Sequence, residues 1–217
     1  VMLTGSKFYQ SPPFCGALLV PKTISSKLND ISYQAVEPFL KIFSTSDISP
    51  SHPKLRSKFR ENENYGTLLR WEAAISEMKL LSFFGEDMVT SAIDRWNAFV
   101  ISQLQINSDF FELMPDQQFT NRSIISFNVR HQDGSLLSDE ELRLLYLKIC
   151  AKERDDFYDF KKIIIGQPVK YDNKSFIRLA LGSYNVRMLI ANDFDFKFDR
   201  KLINIIIKEV KELFWKL

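Results

Sequence analysis

Lys7 stands behind Thr4-Gly5-Ser6, at the end of the apolar stretch Val1-Met2-Leu3, and ahead of an aromatic and proline-rich run from Phe8 to Phe14. A lysine amine so placed can attract an anion or form a Schiff base with an aldehyde. Gly5 lets the backbone turn sharply, and Thr4 and Ser6 offer hydroxyls to an anion. If Val1 to Thr4 is a strand of an open α/β sheet, its carboxyl end is where such sheets bind ligands. A Walker-type phosphate loop is excluded, because it needs Gly-x-x-x-x-Gly-Lys-Ser/Thr and that order is absent. The plain alternative is a solvated surface lysine, the usual fate of that residue.

The second candidate is Arg178, in Phe176-Ile177-Arg178-Leu179-Ala180-Leu181-Gly182. Strand alternation places Ile177, Leu179 and Leu181 on a core face and Arg178 on the other, with Phe176 and Ala180. An arginine between flat or short neighbours can offer its planar fork to a carboxylate. A half-exposed arginine in a structural ion pair is the alternative. His52 and His131 are far apart and lack carboxylates at ligand spacing, so no metal is expected. Asp155-Asp156 and Asp193/Asp195 sit in charged connections and read as solvated loop.

The elements that must position these residues belong to a chain of 217 residues, long enough for one large domain or two small ones. Hydrophobic content of 45% and charged content of 26% are those of an ordinary globular protein. A net charge of +2 gives no reason to expect nucleic acid or an anionic membrane as partner. Cys15 and Cys150 have no framework spacing, and no signal or membrane-spanning pattern is visible, so a cytoplasmic location is expected. Opening at Val1 in mid-strand suggests a fragment.

In chain order, a second apolar strand ends at Pro21, and a short helix is expected around Ala35 to Phe43. Ser44 to Asn64 reads as a long irregular connection that Ser49-Pro50-Ser51-His52-Pro53 keeps free of regular structure. Leu68, Trp71, Ile75 and Met78 predict one helical core stripe, Gly85 a break, and Val89, Ile93, Trp96, Val100 and Leu104 a second stripe. Strands are expected at Phe110–Met114, Ser123–Val129, Ile163–Val169 and Ser175–Gly182. Gln132 to Ser135 reads as a turn. Ser138 and Glu141 form a capping box for a helix with Leu142, Leu145, Tyr146 and Ile149 inside. Asp199 is expected to cap a terminal helix. Asn185 and Arg187 read as surface or cap residues. The order is α+β, a small sheet covered by helices.

Thr4-Gly5-Ser6-Lys7-Phe8, followed by Pro12-Pro13-Phe14 and Gly16-Ala17-Leu18-Leu19, resembles the lysine segment of fold-type I pyridoxal 5'-phosphate (PLP) enzymes. Within them it is similar to the class V aminotransferase and cysteine desulfurase-like branch. Gln10-Ser11 departs from the pattern, where a small pair such as Gly-Gly is expected. The resemblance implies that Lys7 forms the Schiff base with PLP and then moves the Cα proton of the substrate. It implies that Thr4 holds the cofactor phosphate, with Ser6 beside it. Asn64-Tyr65-Gly66-Thr67 resembles a Gly-Thr pair that reaches a neighbouring subunit's phosphate, giving Thr67 that role and the full-length protein a homodimer; a helix N-cap by Thr67 is the alternative. Leu68 to Ala74 and Gly166-Gln167-Pro168-Val169 also resemble pieces of this branch, with Arg70 and Glu72 as helix-surface salt-bridge formers. Arg178 matches the arginine that grips the substrate α-carboxylate.

The fold so implied is an α/β fragment of the large PLP-binding domain (1–65), linking helices (66–106) and an α+β small C-terminal domain (107–217) with a three- to four-stranded sheet. The function implied is a PLP-dependent enzyme acting on amino acids or other amines, an aminotransferase first and a lyase or decarboxylase second. The fragment alone is expected to be inactive. Desulfuration is disfavoured, because its nucleophilic cysteine belongs on a mobile loop and Cys150 lies in a helix. A non-catalytic binding domain that kept the fold is the rival from another class.

Overall fold

The computed structural model describes residues 1–114, 123–151, 163–171 and 174–215. The chain divides into two compact units, Val1–Leu80 and Leu81–Leu217. The first unit opens on β1 (Met2–Thr4) and β2 (Gly16–Leu18), paired antiparallel with Met2 opposite Leu18 and Thr4 opposite Gly16. Among the described residues these strands pair only with each other, so the expected strand end lies on a two-stranded ribbon. Every residue of both strands is exposed.

Short helical turns follow: α1 (Lys22–Ser25), α2 (Tyr33–Val36) and α3 (Pro53–Arg56). The helix expected over Ala35 to Phe43 starts earlier, because the Ser32 hydroxyl caps it by accepting from the Ala35 N–H at 3.3 Å, and it relaxes into a 3-10 turn at Glu37–Phe39. Pro53 opens a helix where its run was expected to forbid one; at the first helical position a proline's fixed φ helps and its missing N–H costs nothing. Val36, Leu55 and Phe59 form a small core with Leu28, Ile31, Leu40 and Ile48 around it.

Helix α4 (Tyr65–Ser82) corrects the expected stripe. Leu68 is 61% exposed and Ile75 39%, whereas Ala74 and Leu81 are buried and Trp71 and Met78 partly so. Apolar residues occur all round this helix, so periodicity alone did not select a face. A small side chain did: Ala74 allows the close approach of the lysine loop.

The second unit begins at α5 (Glu86–Ile106), set off by Gly85 at φ +73°, a conformation that favours glycine. Ala92, Trp96, Val100 and Leu104 form its buried stripe. Then come β3 (Phe111–Leu113), β4 (Ile124–Val129), α6 (Asp139–Ala151), β5 (Gly166–Tyr171), β6 (Lys174–Ala180), α7 (Ser183–Ala191) and α8 (Lys197–Phe214). The strands form one antiparallel sheet in the order β3-β4-β6-β5. Ile125, Phe127 and Val129 of β4 and Ile177 and Leu179 of β6 are buried, as their alternation predicts. Helix α5 packs on β3 and β4, α6 on β5 and β6, and α8 on both helices.

Asn185 and Arg187 lie on α7 and are not among its buried residues, Ser183, Val186 and Leu189, in keeping with a surface position. Two expectations change here. β5 starts at Gly166 rather than Ile163, although Ile163 and Ile165 are buried ahead of it. Asp199 sits in the first turn of α8 instead of capping it; the cap position is Phe196. The capping box of α6 is present, with Glu141 accepting from the Ser138 N–H at 2.8 Å and Ser138 Oγ accepting from the Glu141 N–H at 3.3 Å. Among the described residues no helix is long and apolar enough to cross a membrane. Asp155-Asp156 lies outside the described residues.

Candidate functional site

Two places carry the expected chemistry, one in each unit. In the first, the segment from Gly5 to Cys15 loops between β1 and β2. It is held by backbone bonds from the Gly5 N–H to Cys15 O at 2.9 Å, the Ser11 N–H to Gly5 O at 3.1 Å and the Gln10 N–H to Lys7 O at 3.1 Å. Gln10 and Phe14 have positive φ, 53° and 67°. Gln10 thus meets the tight turn at the place where a small pair was expected. Lys7 is exposed at the tip side of the loop. Thr4 Oγ1 and Ser6 Oγ lie 3.0 Å apart, and Thr4 also donates to Cys15 O at 3.2 Å. The loop therefore presents a reachable amine one and three residues beyond a converged pair of hydroxyls.

Gly5 is buried beneath this loop. A Cβ there would stand 2.7 Å from Ala74 Cβ and 2.7 Å from Cys15 Sγ, so no larger residue fits without movement. Helix α4 thereby runs against the lysine loop, and Thr67, two turns before Ala74, lies on the same less exposed side. Thr67 is not the cap of α4. Asn64 is: its Oδ1 accepts from the Thr67 N–H at 3.0 Å, and its Nδ2 donates to Asp47 Oδ1 at 3.0 Å. The Thr67 hydroxyl is thus left without a capping task.

In the second unit Arg178 lies on β6 opposite Ser126 of β4 and Gly166 of β5. Cross-strand partners share a face, so Arg178, Ser126 and Asn128 project from the side away from Ile177 and Leu179. Glu112 pairs with Asn128 and joins that face. The Glu112 carboxylate takes an ion pair from Arg130, a contact from Lys174 Nζ at 3.8 Å and a bond from Asn128 Nδ2 at 3.4 Å. Because a carboxylate only accepts, Asn128 must turn its Nδ2 to Glu112 and its Oδ1 away. That Oδ1 is buried without a donor, and the Arg178 Nε is buried without an acceptor. No ion pair holds Arg178 among the described residues. At Gly166 a Cβ would stand 2.8 Å from Arg178 O and 3.0 Å from Arg178 Cβ, so the glycine makes room for the root of this side chain.

Tertiary folding also supplies partners that linear spacing concealed. His131, expected to lack a carboxylate, has Nε2 3.2 Å from Glu141 Oε2 and its ring edge-on to Phe214 at 5.8 Å. Burial pushes the Glu141 carboxyl up, but bonds from the Ser138 amide and hydroxyl and the His131 contact outweigh it and hold the group below its ordinary range. Asp193 and Asp195 lie exposed in the loop between α7 and α8, as expected, and there Asp195 is held low by Lys197, through its side chain and its backbone N–H.

Comparison with known proteins gives no match to any family model, any curated protein or any solved structure.

Proposed function

We propose that the chain is part of a PLP-dependent enzyme of fold type I that acts on amino acids, with aminotransfer as its reaction. The observation that carries the reading is the lysine loop, where an exposed Lys7 follows the Thr4–Ser6 hydroxyl pair on a turn that tolerates only glycine at position 5. Those residues fit a phosphate-bearing aldehyde: the amine is reachable for covalent capture and the two hydroxyls can donate to phosphate oxygens. When bound, that cofactor supplies an electron sink for the substrate's Cα bonds. Lys7 then takes and returns the Cα proton, Thr67 adds a hydroxyl beside the phosphate in a homodimer, and Arg178 binds the substrate carboxylate through its fork.

A lyase or decarboxylase needs the same lysine and is separated by product analysis. A non-catalytic binding domain is favoured by one observation, the exposure of Lys7 without an ion pair among the described residues. The test is borohydride reduction of the intact protein with PLP, followed by peptide mapping. A pyridoxyl group on Lys7, absent in Lys7→Ala, supports the reading. Labelling at a different lysine, or none, defeats it.

A further inference from the structure

Helix α4 buries Ala74 and partly buries Thr67, Arg70, Trp71 and Met78. Its opposite side is open and largely apolar, with Leu68 61% exposed, Leu69 68%, Ile75 39% and Leu80 44%. Single exposed apolar residues need no explanation, but these align along one side of the helix over roughly three turns. Glu72 and Lys79 lie exposed in the same stripe. Neither Glu72 nor Arg70 makes the helix-surface ion pair expected of it among the described residues. Glu72 has no cation three or four residues away, since Leu68, Leu69, Ile75 and Ser76 stand there. Seven residues of helix put Lys79 roughly 10 Å further along, too far for the two to pair within one chain.

A second copy of α4, laid antiparallel about a two-fold axis midway between Ile75 and Ser76, complements that stripe. Glu72 and Lys79 are equally far from this midpoint, about 5 Å along the helix, so each Glu72 faces the partner's Lys79. The same axis sets Ile75 against the partner's Ile75 and brings Leu69 within a turn of the partner's Leu80. A parallel copy would set like charges on one another, which is destabilising. Contact of this kind is isologous, one patch complementing itself. Antiparallel helices that cross at a shallow angle keep such stripes together over several turns. We infer that the exposed side of α4 is a homodimer surface, occupied by α4 of a second copy of this chain in antiparallel packing, with two Glu72–Lys79 pairs across the axis. Neither Lys7 nor a cofactor enters this surface.

The test is sedimentation equilibrium of the intact protein, with far-UV circular dichroism to show that each variant is folded. A reversible monomer–dimer equilibrium is expected, since one helix pair is a small interface. Glu72→Lys places like charges across the axis and should weaken the dimer about tenfold or more, as should Lys79→Glu. The double variant Glu72→Lys/Lys79→Glu restores both pairs with their signs exchanged and should dimerise nearly as the parent does. Because the two positions are too far apart to pair within one chain, that rescue reports the antiparallel contact. Ile75→Asp, next to the axis, should leave a folded monomer. A parent that stays monomeric at every concentration overturns the surface. So does a dimer indifferent to Glu72→Lys or Ile75→Asp, or a double variant as weak as either single one. Borohydride labelling of Lys7 by PLP is read on the same samples. A labelled Lys7 in a chain that stays monomeric removes the surface and leaves the cofactor reading, and a charge-sensitive dimer without the label does the reverse.

Discussion

Trp96 and Asp199, 103 residues apart, meet through a 2.9 Å hydrogen bond from the indole Nε1 to the carboxylate Oδ1. It ties the middle of α5 to the first turn of α8. Trp96 is only 2% exposed, so its N–H has no water to turn to and needs this acceptor. Burial is the main influence on Asp199 and pushes its carboxyl up, while the bond from Trp96 pulls partly the other way.

A pH dependence follows from that direction. A carboxyl whose folded pKa is raised binds its proton more tightly in the folded state. Its contribution is therefore most favourable below the unfolded value of about 3.9 and diminishes as pH rises from there through the folded value. Asp199→Asn keeps an acceptor for Trp96 and removes the charge, so thermal unfolding should show stability at pH 7 equal to or above the parent's and a flatter profile in that window. Asp199→Leu leaves the indole N–H unpaired and should cost about 1–3 kcal/mol. A steeper acid profile in Asp199→Asn would contradict the assignment.

Glu141 behaves with the opposite sign. Its carboxyl is held below the ordinary range despite burial, so the stability it adds is present above its unfolded value of about 4.3 and fades as pH falls through the lower folded one. Hydrogen exchange at the first turn of α6 should quicken over that acid range in the parent. In Glu141→Gln it should be faster at neutral pH, by the ~0.5–2 kcal/mol that a helix cap contributes, and lack the acid-linked change.

Much of the second unit was legible because its signals are local. The alternation of Ile125, Phe127 and Val129, the Ser138–Glu141 box and the Trp96, Val100 and Leu104 part of the α5 stripe each lie within one element. What escaped depended on distant partners. Asp199 has the chemistry of a helix cap, and only the arrival of α5 makes it an acceptor for Trp96. His131 looked unpartnered because Glu141 lies ten residues on, across a turn and a helix start. The spacing of Leu68 and Ile75 predicts a core face for α4, but the residue buried against the lysine loop is Ala74, which meets Gly5. In the candidate sites, sequence singled out Lys7, Thr4, Ser6, Thr67 and Arg178. It did not show that Gly166 makes room for Arg178, since the need for a missing Cβ is visible only once a neighbour is in place.

Gly5→Ala should test the contact that sets this orientation. The new methyl group meets both Ala74 Cβ and Cys15 Sγ, and overpacking of this kind costs roughly 1–3 kcal/mol. Exchange of the Gly5 to Cys15 amides should accelerate. Ala74→Gly should restore part of the loss, beyond its own helix cost of about 1 kcal/mol, because one of the two clashes is removed. Strict additivity of the two substitutions would show that Gly5 and Ala74 do not act on each other.

The last prediction concerns Arg178. Its Nε is buried without an acceptor, and Gly166 leaves the space its Cβ occupies. If it binds a substrate carboxylate, Arg178→Ala in the intact protein should weaken carboxylate-bearing substrates by about ten- to a hundredfold relative to amines that lack the group, in line with roughly 1.5–3 kcal/mol for a charge-assisted bond. Arg178→Lys should recover only part of the loss, since an ammonium cannot supply two parallel donors. Gly166→Ala gives an independent handle, because it disturbs the root of the side chain without touching the guanidinium. It should reduce carboxylate preference in the same direction while Lys7 labelling by PLP persists. Steady-state kinetics that show equal losses for both substrate types in Arg178→Ala would make the arginine a structural element of the β4–β6–β5 sheet, and carboxylate recognition would have to be sought elsewhere.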